Sequence, residues 1–147
     1  MSITQAMCTL FKMDVMLGDH HLDTDDIRIA LYTDAATLNA TTDGYITAGE
    51  VSASGTNYTA TGVALGTKSV VVDSTSGCFT SANPEWTSAT FTANGALIYN
   101  KTLGDASSNA KGAIAVLFFG GNFTVAGGTF KIVFPAPTAS NAIVRID

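Results

Sequence analysis

The chain has 147 residues, a length that suits one folded domain with a sizeable buried core and leaves no room for two. Only 13% of its residues are charged and its net charge is -5, so it lacks the Lys and Arg density by which proteins bind nucleic acid. Its longest apolar run, Ala113 to Phe119, is far shorter than the roughly 20 residues of a membrane-spanning helix, so we expect no membrane contact.

The first 26 residues are predicted to form a helix followed by a loop. Ser2 and Gln5 have the spacing of a capping box, and the apolar residues that follow recur at helical spacing, interrupted only by Asp14. A glycine stands directly after Leu17, where a left-handed helix cap is usual. We therefore predict a helix from Ile3 to Leu17 and describe residues 1–26 as a helix and loop arm.

From Ile27 onward the apolar pattern changes to a period of two, which is typical of strands. Ile27, Ile29 and Leu31 alternate with Arg28, Ala30 and Tyr32, so the first strand should bury one face. Further strands are predicted at Tyr58 to Leu65, Ser69 to Val72, Cys78 with Phe79, Trp86 to Phe91, Ala96 to Asn100, Ala113 to Phe119, Thr129 to Phe134 and Ala142 to Ile146. We predict that residues 27–147 form a mainly β domain of about eight strands, a single β-sandwich or jelly-roll-like fold.

Two features between the strands need their own interpretation. The stretch Asp34 to Thr56 is mostly Ala, Thr, Gly, Asp and Ser, and it is interpreted as a long connection with a brief strand around Tyr45-Ile46. A loop of that length is usually functional or ordered by a partner. Gly120-Gly121 and Gly127-Gly128 are interpreted as turns, because no helical pattern or Lys-Ser/Thr pair follows them to make a phosphate-binding motif.

The sequence offers little catalytic chemistry. Its two histidines, His20 and His21, are adjacent, and nothing resembles a nucleophile elbow. We predict that the protein is not an enzyme and has no catalytic residues and no cofactor. Cys8 and Cys78, the only cysteines, are predicted to be free buried thiols.

The segment Gly18 to Asp26 is the one constellation with ligand chemistry. It carries four carboxylates and two imidazoles, which are ligands for a hard cation or a transition metal. Its spacing matches no calcium loop, because the central Gly and the distal Glu are missing. We favour a solvated helix-to-strand loop and assign no metal ligands.

Trp86, the only tryptophan, allows two interpretations. Flanked by Pro84 and turn residues, it could serve as a sugar platform in a glycan-binding module. The alternation of Trp86, Ser88 and Thr90 with Thr87, Ala89 and Phe91 favours a core role instead, with Trp86 covering one edge of the core and Phe91 entering from the other face.

Three segments carry a resemblance to a family: Ile27 to Thr33, Ala93 to Asn100, and Ala139 to Ile146. In their residues and in their order along the chain they resemble segments of small virion proteins of tailed bacteriophages. The resemblance covers most of the chain from Ile27 to Ile146 and consists of predicted strand segments, with no catalytic motif.

The resemblance implies a structural virion component, assembled in the host bacterial cytoplasm, that acts as a capsid cement or decoration protein. The implied partners are the major capsid protein and copies of the chain itself. A charge-poor surface agrees with a homo-oligomer, because it disperses poorly in water and is buried at little ionic cost. Two alternatives stay open: a tail, neck or fibre-base structural protein, and a glycan-binding module.

Overall fold

The fold, seen in a computed structural model that describes residues 1–106 and 111–147, is mainly β and sandwich-like. Within those residues, a five-stranded antiparallel sheet has the order β1-β7-β6-β2-β3 and a three-stranded one the order β4-β5-β8. The predicted fold class of about eight strands with one N-terminal helix is confirmed. The elements are β1 (Ala6–Met7), α1 (Thr9–Leu17), β2 (Ile27–Tyr32), β3 (Val63–Ala64), β4 (Ser69–Asp73), β5 (Ser76–Thr80), β6 (Glu85–Asn100), α2 (Lys101–Ala106), β7 (Ala113–Lys131) and β8 (Val144–Ile146).

Helix α1 begins at Thr9, so the predicted start at Ile3 is wrong. The preceding residues bond to the sheet: β1 pairs with β7, and the backbone N–H of Cys8 donates to the carbonyl of Ile114 at 2.9 Å. Backbone groups that are satisfied by a strand are not free for helical bonds, so the capping box does not form. The predicted C-terminus is confirmed, with Gly18 in the left-handed conformation at φ 77°.

The N-terminal residues share one hydrophobic core with the strands. Ile3, Cys8 and Phe11 are buried in the same cluster as the apolar residues of β2, β6 and β7. On α1, Asp14 is buried beside Phe11, whereas the helix exposes Met13, Met16 and Leu17. The buried side of α1 therefore includes the one residue that interrupts its apolar stripe.

β2 is buried on both faces, so the prediction of one buried face is wrong. The second face is covered by the connection after β2, and the Tyr32 hydroxyl donates to the carbonyl of Ile46 at 2.7 Å. The predicted strands around Tyr45-Ile46 and from Tyr58 to Leu65 are wrong as well, apart from β3. Positive φ angles at Thr61 (74°) and Gly62 (72°) turn the chain there and prevent an extended run.

β6 and β7 are each much longer than the predicted strands. β6 joins the two runs predicted at Trp86 to Phe91 and Ala96 to Asn100, and β7 continues through both glycine pairs to Lys131. The prediction of turns at these glycines is wrong, because β7 pairs with β6 on both sides of each pair. Positive φ at Gly120 (85°) and Gly127 (68°) instead accompanies irregularities of the β-bulge type. The last strand, β8, begins two residues after the predicted Ala142.

Candidate protein interface

The outer parts of β6 and β7 form a two-stranded arm at one end of the larger sheet. β2 pairs with β6 only between Gly95 and Asn100, and β1 pairs with β7 only at Ala115 and Val116. Residues 85–93 and 123–131 pair only with each other among the described strands, and we call them the β arm. A two-stranded ribbon by itself is marginal in water, so the arm depends on what packs against it.

One face of the arm carries a row of aromatic rings that begins in the core and ends at the surface. Trp86 lies 6.3 Å from Tyr58 and 6.0 Å from Phe130, measured between ring centroids. Phe119 continues the row, 6.0 Å from Phe130 and 6.3 Å from Phe123. These spacings are typical of favourable edge-to-face and tilted aromatic pairs, so the row stiffens the arm.

Trp86 belongs to the core, as the favoured interpretation predicted. Trp86 is only 4% exposed, so its ring offers no open face on which a sugar could stack. The predicted position of Phe91 on the opposite face is wrong, because its ring lies 6.5 Å from that of Trp86 in the same cluster. An irregularity between Trp86 and Ala89, with Ser88 at φ 49°, breaks the alternation on which that prediction depended.

An apolar groove of about 470 Å³ opens beside the exposed end of the aromatic row. We call it the arm groove, and its main apolar lining residues are Phe119, Phe123, Val125, Phe130, Ile132 and Val133. Phe123 is 53% exposed and Val133 is 73% exposed. Large apolar side chains gathered in an open groove are a common feature of protein contact surfaces.

The two edges of the arm are protected differently. The edge of β6 is covered by the loop before β3, since Thr90 donates its N–H to the carbonyl of Thr56 and the Asn57 amide donates to the carbonyl of Thr87. On the edge of β7 that faces away from β6, no backbone hydrogen bond from another segment reaches residues 118–131 in the described part of the chain. From Phe118 to Phe130 the strand has no charged residue, and charges are a common protection of strand edges.

The Gly18 to Asp26 segment folds into a hydrogen-bonded loop. The side chain of His20 is fully buried, with Nε2 3.9 Å from Oδ2 of Asp14 and Nδ1 3.3 Å from the amide nitrogen of Asn100. Asn100 in turn donates to Asp25 at 2.6 Å, and Asp26 pairs with Arg28 at 3.0 Å. Burial lowers the pKa of His20, against the attraction of Asp14 and Asp25, so its imidazole is held neutral.

The two histidines are separated by this arrangement, because the side chain of His20 points into the protein and His21 is exposed. Within residues 1–106 and 111–147, no group of three His, Cys, Asp or Glu side chains has the arrangement of a metal site. Asp25 serves the loop instead, accepting the backbone N–H of His21 at 3.0 Å.

A cluster around Glu50 orders the long connection and was missed by sequence reasoning. The Glu50 carboxylate accepts the hydroxyls of Tyr45 and Tyr58 and the backbone N–H of Thr61, the last two at 2.8 Å. The Tyr58 hydroxyl also accepts the N–H of Leu31 at 3.0 Å. We call these residues the Glu50 cluster. The available signal was that Glu50 is the only charged residue between Asp43 and Lys68.

Tyr58 links the Glu50 cluster to the arm, because its ring contacts those of Trp86 and Phe91. The connection, which we expected to be functional or ordered by a partner, is thus held by contacts within the chain. Burial also raises the phenol pKa of Tyr99, whose hydroxyl donates to the carbonyl of Thr61, to about 12, so this group stays protonated and serves packing.

Both cysteines are free and buried, as predicted. Burial, with a smaller contribution from the charge of Asp43, raises the pKa of the Cys8 thiol to about 11. A thiol with so little thiolate at neutral pH is a poor nucleophile, so Cys8 acts as a small apolar core residue.

Comparison with known proteins leaves the interface to be interpreted from its own geometry. No family model, curated protein or solved structure matches the chain. Among the described residues, neither helix combines the length and the hydrophobicity needed to cross a membrane.

Proposed function

We propose that this protein is a structural component of a tailed-phage virion, a capsid cement or decoration protein that stabilises the shell through protein contacts. The observation that carries the proposal is the arm groove, where apolar side chains lie open next to a strand edge without charge. The choice of a virion as the location depends on the resemblance of three strand segments to small virion proteins.

The surface chemistry supports a partner that is itself protein. Burying Phe123 and Val133 gains roughly 25 cal/mol per Å² of apolar surface, and Lys131 is the one charged residue among those that line the groove. An open strand edge also offers backbone groups to an extended segment of the partner. A stable contact needs an area on the order of 1,000 Å², so the partner has to contact surface beside the groove and the edge as well.

The test compares particles that lack the protein with particles to which the purified chain is added back. We expect the chain to co-sediment with the particles and to raise the temperature at which they release DNA, since a ligand that binds the intact shell stabilises it. Phe123→Asp and Val133→Asp should abolish both effects, because each places a charge in the arm groove. Met16→Asp is the matched control, since Met16 is exposed outside the groove and its replacement should change neither effect.

The same experiment separates the alternative locations. Unchanged DNA release together with tailless or non-adsorbing particles would reject the cement role and favour a tail, neck or fibre-base protein. Equal binding by wild type, Phe123→Asp and Val133→Asp would reject the arm groove as the contact surface.

A further inference from the structure

β4 is an open edge strand of the three-stranded sheet, at the opposite edge from β8. It pairs with β5 on one side, and within residues 1–106 and 111–147 no strand pairs with its other side. Its sequence from Ser69 to Asp73 contains three consecutive valines, with neither a proline nor a bulge. Native sheets usually protect such an edge with those devices, so this one is suited to pairing.

The backbone groups that face the open side follow from the hairpin. A two-residue turn, Ser74-Thr75, joins β4 to β5, which makes Asp73 and Ser76 a hydrogen-bonded pair. Because bonding alternates along an antiparallel ladder, Val71 also bonds to β5 and the N–H and C=O groups of Val70 and Val72 face outward.

The side chains of the same two residues are unusually exposed for valine. Val70 is 55% exposed and Val72 is 79% exposed. They lie on one face of the sheet, opposite Phe79 and Gly77 of β5, next to a crevice of about 300 Å³ between this sheet and α1. Both the backbone and the apolar side chains of β4 are thus left without cover in the single chain.

We infer that β4 pairs antiparallel with β4 of a second copy, about a two-fold axis at Val71. In that register Val70 faces Val72 of the second copy, and these are the residues with outward backbone groups, so four backbone bonds form around the axis. Ser69 faces Asp73 of the second copy. The product is a continuous six-stranded sheet in which the exposed valines of the two copies contact each other as cross-strand pairs.

The distribution of charge favours a second copy over a different partner. An isologous contact is self-complementary, and any charge near the axis would face its own like charge. The charges at the two ends of β4 lie away from the centre. Asp73 of one copy comes beside Lys68, the residue before β4, of the other copy and lies opposite no carboxylate. An uncharged valine centre also carries nothing by which a charged partner strand would be selected.

This pairing does not depend on the proposed function, because it forms in the purified chain. The interface is small, so we expect a weak dimer of about 30 kDa, twice the 15.1 kDa chain, that dissociates on dilution in sedimentation experiments. The double variant V70K/V72K places like charges opposite each other and should weaken the dimer at least about 100-fold.

The matched variant is V70K/V72E, which alters the same two positions but places Lys opposite Glu across the axis. It should keep the dimer, and thermal unfolding should show that both variants are folded. Wild-type chain that stays monomeric at all concentrations would overturn the inference. So would equal dimerisation of the two double variants, since that result would place the contact elsewhere.

Discussion

Replacing Glu50 by Ala is the sharpest test of how the long connection is held. The change removes one carboxylate and leaves two phenols and one backbone N–H without their acceptor. Tyr58 is buried, so its hydroxyl cannot simply turn to bulk water. Because the same ring packs on Trp86 and Phe91, the loss extends from the connection to the base of the arm.

The magnitude follows from the three bonds. A hydrogen bond to a charged group contributes about 1.5 to 3 kcal/mol, and partial hydration of the exposed part of the loop recovers some of the loss. We expect Glu50→Ala to lower the free energy of unfolding by about 3 to 5 kcal/mol. For a chain of this size that is a fall in Tm on the order of 10 °C. Glu50→Gln keeps an acceptor oxygen and should cost only about 1 to 2 kcal/mol.

The assay is urea or thermal unfolding followed by circular dichroism, with Glu85→Ala as the matched control. Glu85 is the only other glutamate, and its side chain is half exposed, with an oxygen 3.9 Å from Nζ of Lys131. An exposed pair of this kind contributes at most about 1 kcal/mol. Equal destabilisation by Glu50→Ala and Glu85→Ala would refute the role of the Glu50 cluster.

Two further predictions use pairs of similar residues. Because the pKa of His20 is lowered in the folded chain, the unfolded chain binds more protons in acid. The free energy of unfolding should therefore be at its full value above the ordinary pKa of 6.5 and fall as the pH drops below it. In urea unfolding between about pH 5 and 7.5, His20→Gln should flatten this dependence and His21→Gln should not. Gly62→Ala should destabilise the protein by more than about 3 kcal/mol, because the added Cβ would lie 1.9 Å from the carbonyl oxygen of Ile29. Gly55→Ala, at φ 70° in open space, should cost only about 1 kcal/mol. Similar melting temperatures for the two variants would contradict the close approach at Gly62.

Much of the fold was predictable because it depends on local patterns. Runs of β-branched and aromatic residues identified β2, β4 and parts of β6 and β7, since such side chains pack well on a pleated sheet. Gly18 marked the end of α1 for a similarly local reason, because a left-handed cap is cheapest for glycine. The burial of Trp86 also followed from its position in a strand pattern.

The errors arose where pairing with a distant strand decided the conformation. The residues before Thr9 have a helical pattern but bond to Leu38 and Ile114, and the glycine pairs of β7 resemble turns but lie opposite one continuous strand. Local propensity is worth tenths of a kcal/mol per residue, whereas an unpaired buried backbone group costs more, so the ladder prevails.

The candidate interface divides in the same way. The sequence by itself determined a charge-poor, mainly β chain whose β7 and β4 runs are apolar and uncharged at their centres, because composition and strand pattern are local properties. Only the tertiary structure decided which apolar residues stay open. Phe91 and Phe123 look alike in the sequence, yet the loop ordered by Glu50 contributes the Tyr58 ring that packs on Phe91, while Phe123 remains exposed in the arm groove. Exposure depends on which segments reach a surface in three dimensions, and no local pattern records that.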